Sequence, residues 1–161
     1  MIALFTFHYS LPFDIMNVEA NHHPSKTRGE IYLETDGEYF PCLGWSDRLL
    51  NAISLWMSNC INLVHPKNEV QTVTNYFMDG PYFFVVQKRA HGRINIRCMK
   101  GFDESEATEQ IPSITLAFAE YYNALLSLTE SIIKDPGFQW LETEHTRTNF
   151  ERGVAMLRAS L

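Results

Sequence analysis

The segment that most constrains the fold is residues 29–57, because it contains two short strands followed directly by a long amphipathic helix. Residues 30–34 alternate apolar and polar side chains, a pattern typical of a half-buried strand. The dipeptide Asp36-Gly37 then leads into residues 38–40, which predicts a tight hairpin. Pro41 should stop the second strand or confine it to the edge of a sheet.

A helix is expected to begin directly after Trp45. Ser46 is a favourable N-cap, and Asp47 would place a negative charge in the first turn, at the positive end of the helix dipole. Apolar residues then recur at helical spacing, and Pro66 ends the pattern. The expected buried stripe is Leu49, Ile53, Trp56, Cys60 and Leu63.

Three strands are predicted next, over residues 70–78, 82–89 and 93–99. Their connections, Asp79-Gly80-Pro81 and Ala90-His91-Gly92, are so short that neighbouring strands must run antiparallel. The third strand alternates strictly, so one of its faces should meet the core and its other, basic face should meet solvent or a partner.

A second long helix is expected to start at Pro112 and Ser113 and to end at residues 135–137. Its predicted stripe is Ile114, Phe118, Tyr121, Leu125, Leu128 and Ile132. A short terminal helix should follow, with Phe150, Val154, Leu157 and Leu161 at helical spacing.

These elements predict an α+β fold in a single domain that spans residues 1–161. We expect one antiparallel sheet of about five or six strands, whose C-terminal part is the three-stranded meander. The sheet should pack against two long helices and the short terminal helix. Residues 2–9 are predicted to form the first strand, and residues 10–28 an irregular segment with an exposed tip.

Charge, hydropathy and cysteine content argue against several functional classes and locations. The formal net charge of −6 argues against non-specific binding to nucleic acid or anionic membranes, which needs Lys and Arg to displace counterions. The N-terminus is a poor signal peptide, and no apolar run is long enough to span a bilayer. The three cysteines form no CxxC pair, which favours reduced, buried thiols and a cytoplasmic location.

Sequence signatures of chemistry are mostly missing. The chain has no GxGxxG, GxxxxGK[ST], GxSxG or HExxH motif, so we expect no enzyme activity, no cofactor and no metal. The pair His22-His23 is better explained as an exposed loop than as metal ligands. Cys60 lies on an apolar helix stripe, where burial should raise its thiol pKa and make it a poor nucleophile.

Other candidate residues also have simpler structural explanations. Asp79 before Gly80 fits a turn better than a catalytic acid, and Trp45 and Trp56 fit the core better than a ligand-stacking platform. A basic set lacks interleaved aromatic residues, so a solvated strand face is favoured over a nucleic-acid site. This set is Lys88, Arg89, Arg93, Arg97 and Lys100.

The middle third of the chain resembles small bacterial immunity proteins of contact-dependent growth inhibition and related polymorphic toxin systems. The shared pattern is a strand, Phe-Pro, Trp, a Trp-bearing helix and an aromatic hairpin. The matching residues are Gly29, Phe40, Pro41, Trp45, Asp47, Trp56, Asp79, Gly80 and Pro81.

The resemblance implies a cytoplasmic, non-enzymatic inhibitor that binds the C-terminal toxin domain of a large secreted effector and occludes its active site. It implies a monomer or weak homodimer without a membrane or nucleic-acid partner of its own. Such toxins are often nucleases with basic grooves, which acidic side chains would complement. Taken alone, the acidic run of residues 103–109 is more simply explained as a solvated loop, and its alternative is a negative patch that steers a basic partner. On that alternative, the predicted partner-binding residues are Asp36, Glu38, Asp103, Glu104, Glu106 and Glu109.

Two other functions remain open from the sequence. One is a small-molecule-binding or enzymatic domain, whose pocket would lie between sheet and helices and be lined by Tyr, Trp and His. The other is a homo-oligomeric structural or adaptor protein.

Overall fold

The computed structural model describes residues 4–11 and 28–161. The predictions made for residues 12–27, including those for His22-His23, lie outside the described residues. The α+β class is confirmed, but the strands form two antiparallel sheets, of four and five strands, instead of one. Three helices pack with them.

The first sheet contains the N-terminal strands. Its strands are β1 (Phe5–Ser10), β2 (Arg28–Thr35), β3 (Glu38–Phe40) and β4 (Ser46–Arg48). Strand β2 is central, because β1, β3 and β4 all pair with it. The predicted hairpin between β2 and β3 is confirmed, and its two turn residues, Asp36 and Gly37, have φ angles of 50° and 85°. Two consecutive positive φ angles are what a type I′ hairpin turn requires.

The second sheet contains the predicted meander and two short additional strands. Its strands are β5 (Thr72–Tyr76), β6 (Tyr82–Arg89), β7 (Arg93–Lys100), β8 (Thr108–Glu109) and β9 (Ile114–Ala117). The antiparallel order of β5, β6 and β7 is confirmed. Strands β8 and β9 both pair with β7, at its C-terminal and N-terminal parts respectively.

The helices are α1 (Leu49–Val64), α2 (Phe118–Lys134) and α3 (Glu144–Ala159), with a 3-10 turn at Phe138–Trp140. All five residues of the stripe predicted for the first helix are buried. The terminal helix, predicted to be short, has 16 residues, the same length as α1, and its predicted Leu161 lies exposed beyond its end. Among the residues that the structure describes, no helix has both the length and the hydrophobicity that a bilayer span requires.

The predicted start of the first helix is wrong. Residues Ser46–Arg48 form strand β4, which pairs with residues 28–30 of β2, and the helix begins at Leu49. Ser46 therefore caps no helix, and Arg48 stands at the N-cap without a side-chain hydrogen bond to the helix. The pairing with β2 outweighs the local capping preference, because it satisfies backbone groups along a whole strand.

The predicted start of the second long helix is also wrong. Ile114–Ala117 pairs with β7, and the helix begins at Phe118, where Glu120 accepts a hydrogen bond from the backbone N–H of Ala117. Ile114 and Leu116 are buried and Thr115 is exposed, which is the period of a strand. The remaining stripe residues do lie on the helix, where they are buried or half-buried.

Helix α1 covers the edge of the second sheet. The indole N–H of Trp56 donates to the backbone oxygen of Tyr76 at 2.9 Å, and the Asn59 amide donates to that of Thr74 at 2.9 Å. These side chains satisfy backbone groups of β5, the outermost strand, and so protect the sheet edge.

Asp47 joins the two sheets. It is fully buried on β4, and its carboxylate accepts hydrogen bonds from the indole N–H of Trp45 and from the backbone N–H of Arg48, at 3.0 and 2.6 Å. It also accepts two from the β5–β6 connection, from the N–H groups of Met78 and Asp79, at 3.1 and 3.4 Å. A residue expected in the first turn of a helix therefore bridges two sheets.

We expect Asp47→Ala to lower the free energy of unfolding by about 3 kcal/mol, because it leaves buried donors without an acceptor. Asp47→Asn should lower it less, since one side-chain oxygen remains. Urea unfolding measures both, with Glu69→Ala as an exposed control expected to change stability by less than about 0.5 kcal/mol. A loss for Asp47→Ala no larger than that of the control would contradict the bridging role.

Candidate functional site

The six carboxylates predicted to bind a partner lie on two separate elements. Asp36 and Glu38 belong to the β2–β3 hairpin of the first sheet, whereas the other four lie on the β7–β8 connection and on β8 in the second sheet. All six are exposed. No hydrogen bond or ion pair between described residues joins the two groups.

The β7–β8 connection is a compact loop, residues 101–107, that we call the acidic loop. Its ends are fixed by the pairing of Met99 with Glu109 and by a 2.8 Å hydrogen bond from the N–H of Gly101 to the backbone oxygen of Pro81. A Cβ atom on Gly101 would lie 2.7 Å from the Cα of Ala107. The two ends of the acidic loop therefore approach so closely that only glycine fits at residue 101.

Hydrogen bonds order the acidic carboxylates within this loop. Asp103 accepts from the backbone N–H and the hydroxyl of Ser105, at 2.9 and 2.8 Å, and these bonds hold the pKa of the Asp103 carboxyl below its ordinary value. Glu104 accepts a hydrogen bond from the hydroxyl of Tyr76 on β5. The acidic loop thus presents its charges from a defined conformation.

Phe102 at the start of the acidic loop is 94% exposed, the largest exposed fraction among the exposed large hydrophobic residues of the described chain. Beneath the loop, Phe83, Val85 and Met99 form a small apolar cluster on the outer face of the second sheet, and Ala107 packs on it. The cluster anchors the loop, and Phe102 belongs to neither of the two apolar clusters of the described residues. Phe102 was not predicted as a binding residue from the sequence, although its position directly before the acidic run was an available signal.

The contacts of the β2–β3 hairpin give less support to the predicted partner-binding role of its two carboxylates. The Oδ1 atom of Asp36 accepts a 3.2 Å hydrogen bond from the N–H of Leu4, so part of its role is to hold the start of β1. Glu38 lies opposite Thr35 at the first position of β3.

The cysteines differ in exposure. Cys60 and Cys98 are buried as predicted, but Cys42 is exposed, which corrects the expectation of three buried thiols. Burial raises the pKa of Cys60 to about 12. It also raises the pKa of Cys98, with a further contribution from the charge of Glu109. Neither buried thiol is suited to act as a nucleophile.

Asp79 and the tryptophans have structural contacts. Gly80 has a φ angle of 69°, as the predicted turn requires, and the Oδ2 atom of Asp79 lies 2.5 Å from an Arg28 guanidinium nitrogen. Although Oδ2 has no regular hydrogen bond, this ion pair balances its charge. Trp56 is fully buried, and Trp45 is half-buried against Tyr82 with 5.0 Å between ring centroids.

The basic set on β6 and β7 is largely exposed. Lys100 lies over the ring of Tyr82, 5.6 Å from its centroid, and a guanidinium nitrogen of Arg93 donates to the backbone oxygen of Thr115 at 3.1 Å. These contacts agree with a solvated strand face.

The space between the sheets and helices, where the pocket hypothesis places a ligand, contains packed aromatic rings. Phe7 lies 5.7 Å from Trp56 and 6.1 Å from Tyr121, measured between ring centroids. The hydroxyl of Tyr121 and the Nδ2 atom of Asn75 are buried there without a regular hydrogen bond. Burial raises the pKa of Tyr121 well above its ordinary value, although the nearby Asn75 amide acts in the opposite direction.

No group of three or more His, Cys, Asp or Glu residues in the described ranges could hold a metal ion. Comparisons with protein-family models, curated proteins and solved structures gave no match to this chain.

We expect the phenol of Tyr76 to titrate with a pKa of about 12, because its hydrogen bond to Glu104 and, next, burial favour the protonated form. Since the pKa is raised on folding, the contribution of this bond to stability is complete below about pH 10 and is lost as the pH rises through about 12. NMR of ring-labelled tyrosine follows the titration, with Tyr76→Phe to assign the signal. Glu104→Gln should lower the midpoint, and an unchanged midpoint would rule out the bond.

We expect one thiol of the native protein to react rapidly with Ellman's reagent. Cys42 is exposed, whereas Cys60 and Cys98 are buried and have raised pKa values. Cys42→Ser should abolish the rapid phase, while denaturation of the unsubstituted protein should release all three thiols. A rapid phase that persists in Cys42→Ser would show that a buried thiol is accessible.

Proposed function

We propose that this protein is a non-catalytic immunity protein that binds a cognate toxin domain and neutralises it by occluding its active site. The sequence resemblance in the middle third of the chain suggests this class. The observation that carries the proposal is the acidic loop, in which an almost fully exposed Phe102 stands beside ordered carboxylates. An exposed aromatic residue with fixed neighbouring charges is typical of a protein-binding surface.

The charge of the loop supports the proposal of a basic partner. Asp103, Glu104 and Glu106 lie within four consecutive residues without a basic residue between them. Carboxylates that lie so close together repel phosphate and attract a basic protein surface, such as the substrate groove of a nuclease. Phe102 would supply the apolar anchor of the contact, and the carboxylates its orientation and association rate.

The proposal is tested with the C-terminal domain of the protein encoded immediately upstream in the native locus. Calorimetry measures binding, and a growth assay measures rescue of cells that express this domain. Tight one-to-one binding with rescue would support the proposal. Absence of both would reject the proposal. The alternative of a small-molecule site at the buried polar groups of Tyr121 and Asn75 would then be tested next.

We expect the double variant Glu104→Lys/Glu106→Lys to weaken binding to this toxin domain at least tenfold at low salt, mainly through slower association. The salt dependence of the association rate should also decrease, because fewer attractive charges remain to be screened. Stopped-flow fluorescence at several ionic strengths measures both quantities.

The matched control is Glu69→Lys/Glu151→Lys, which changes the net charge equally at two exposed positions outside the acidic loop. It should retain most of the affinity. Equal effects of the two double variants would mean that net charge alone steers association, and the acidic loop would lose its assigned role.

A further inference from the structure

The outward face of the first sheet groups three aromatic rings with two carboxylates. On β1 and β2 the inward residues Phe7, Ile31 and Leu33 are buried, so the residues between them point away from the core. The strand register places His8 opposite Tyr32, and Glu34 opposite Tyr39. We call this group the aromatic–carboxylate face, and its members are His8, Glu30, Tyr32, Glu34 and Tyr39.

The three rings form a continuous array. The rings of His8 and Tyr32 are stacked, with 5.0 Å between centroids and an interplanar angle of 18°. Tyr39 meets Tyr32 edge to face at 5.9 Å and 76°. Tyr39 is 39% exposed, on a short strand that pairs only with β2, so its ring is available to a partner.

Two carboxylates lie beside this array. The Oε2 atom of Glu34 lies 2.8 Å from the Nε2 atom of His8. Glu30 lies two residues before Tyr32 on β2 and therefore on the same face of the sheet. Burial and, next, the charge of Glu30 raise the pKa of Tyr32. The described cations of the sheet, Arg28 and Arg48, lie opposite each other at the far end of β2, where Arg28 pairs with Asp79.

We propose that the aromatic–carboxylate face receives an arginine side chain of a basic protein partner. A guanidinium is planar and weakly hydrated, so it stacks on tyrosine rings and pairs with a carboxylate at the same time. A phosphate or nucleic acid would meet repulsion from Glu30 and Glu34. The inference rests on the proposed function, since it names the chemistry through which the toxin domain would contact the first sheet.

The first test uses a small probe and needs no toxin domain. NMR titration with N-acetyl-arginine amide should shift the ring signals of Tyr32, Tyr39 and His8, whereas the uncharged citrulline counterpart should shift them far less. Tyr39→Ala and Glu34→Gln should each weaken the response, and Glu69→Gln should not. Equal responses to both probes, or no response at these rings, would overturn the proposal.

The second test measures binding of the upstream-encoded toxin domain. We expect Tyr39→Ala and Glu34→Gln each to weaken binding about tenfold. The free energy of a cation–π contact, or of a charged hydrogen bond, corresponds to a change in affinity of about this size. Trp140→Ala, which removes an exposed aromatic residue outside the first sheet, should have little effect. If the toxin domain binds tightly and none of these variants changes its affinity, the arginine site is wrong while the proposed function stands. If the toxin domain does not bind, the proposed function fails, and the arginine titration alone decides this inference.

Discussion

The buried carboxylate of Asp47 is the interaction on which the arrangement of the two sheets depends. It lies on β4 of the first sheet and accepts hydrogen bonds from the β5–β6 connection of the second. A buried charge is tolerated only when donors surround it, and here an indole and three backbone N–H groups do so. Because these donors belong to separate segments, the carboxylate fixes where the first sheet ends, where α1 begins and how the second sheet approaches.

Helix α1 extends this connection over the rest of the second sheet. Starting at Leu49, two residues after Asp47, it directs Trp56 and Asn59 to backbone oxygens of β5 and buries its apolar stripe among residues of both sheets. The middle third of the chain is therefore the part that organises the fold. Asp47 and Trp56, two residues of this segment, are buried and hydrogen-bonded within the core, so their roles are structural.

The surfaces proposed for binding lie away from this core and are built differently. The acidic loop is held by local hydrogen bonds and by the small cluster beneath Ala107, so its shape depends on a few short-range contacts. The aromatic–carboxylate face depends on the register of three strands. Both combine apolar rings with carboxylates, the chemistry that would recognise a basic protein surface.

The sequence by itself determined the elements whose signals are local: the Asp36-Gly37 hairpin, the stripe of α1, the β5–β7 meander and the acidity of the loop that follows it. Tertiary structure decided that the short segments Ser46–Arg48 and Ile114–Ala117 are strands and not parts of helices, because each pairs with a strand distant in the sequence. It also decided the division into two sheets and the exposure of Phe102. The predicted hairpin already brought Tyr32 and Tyr39 near each other, but the addition of His8 had no signal in the sequence, because only the pairing of β1 with β2 places it on the same face.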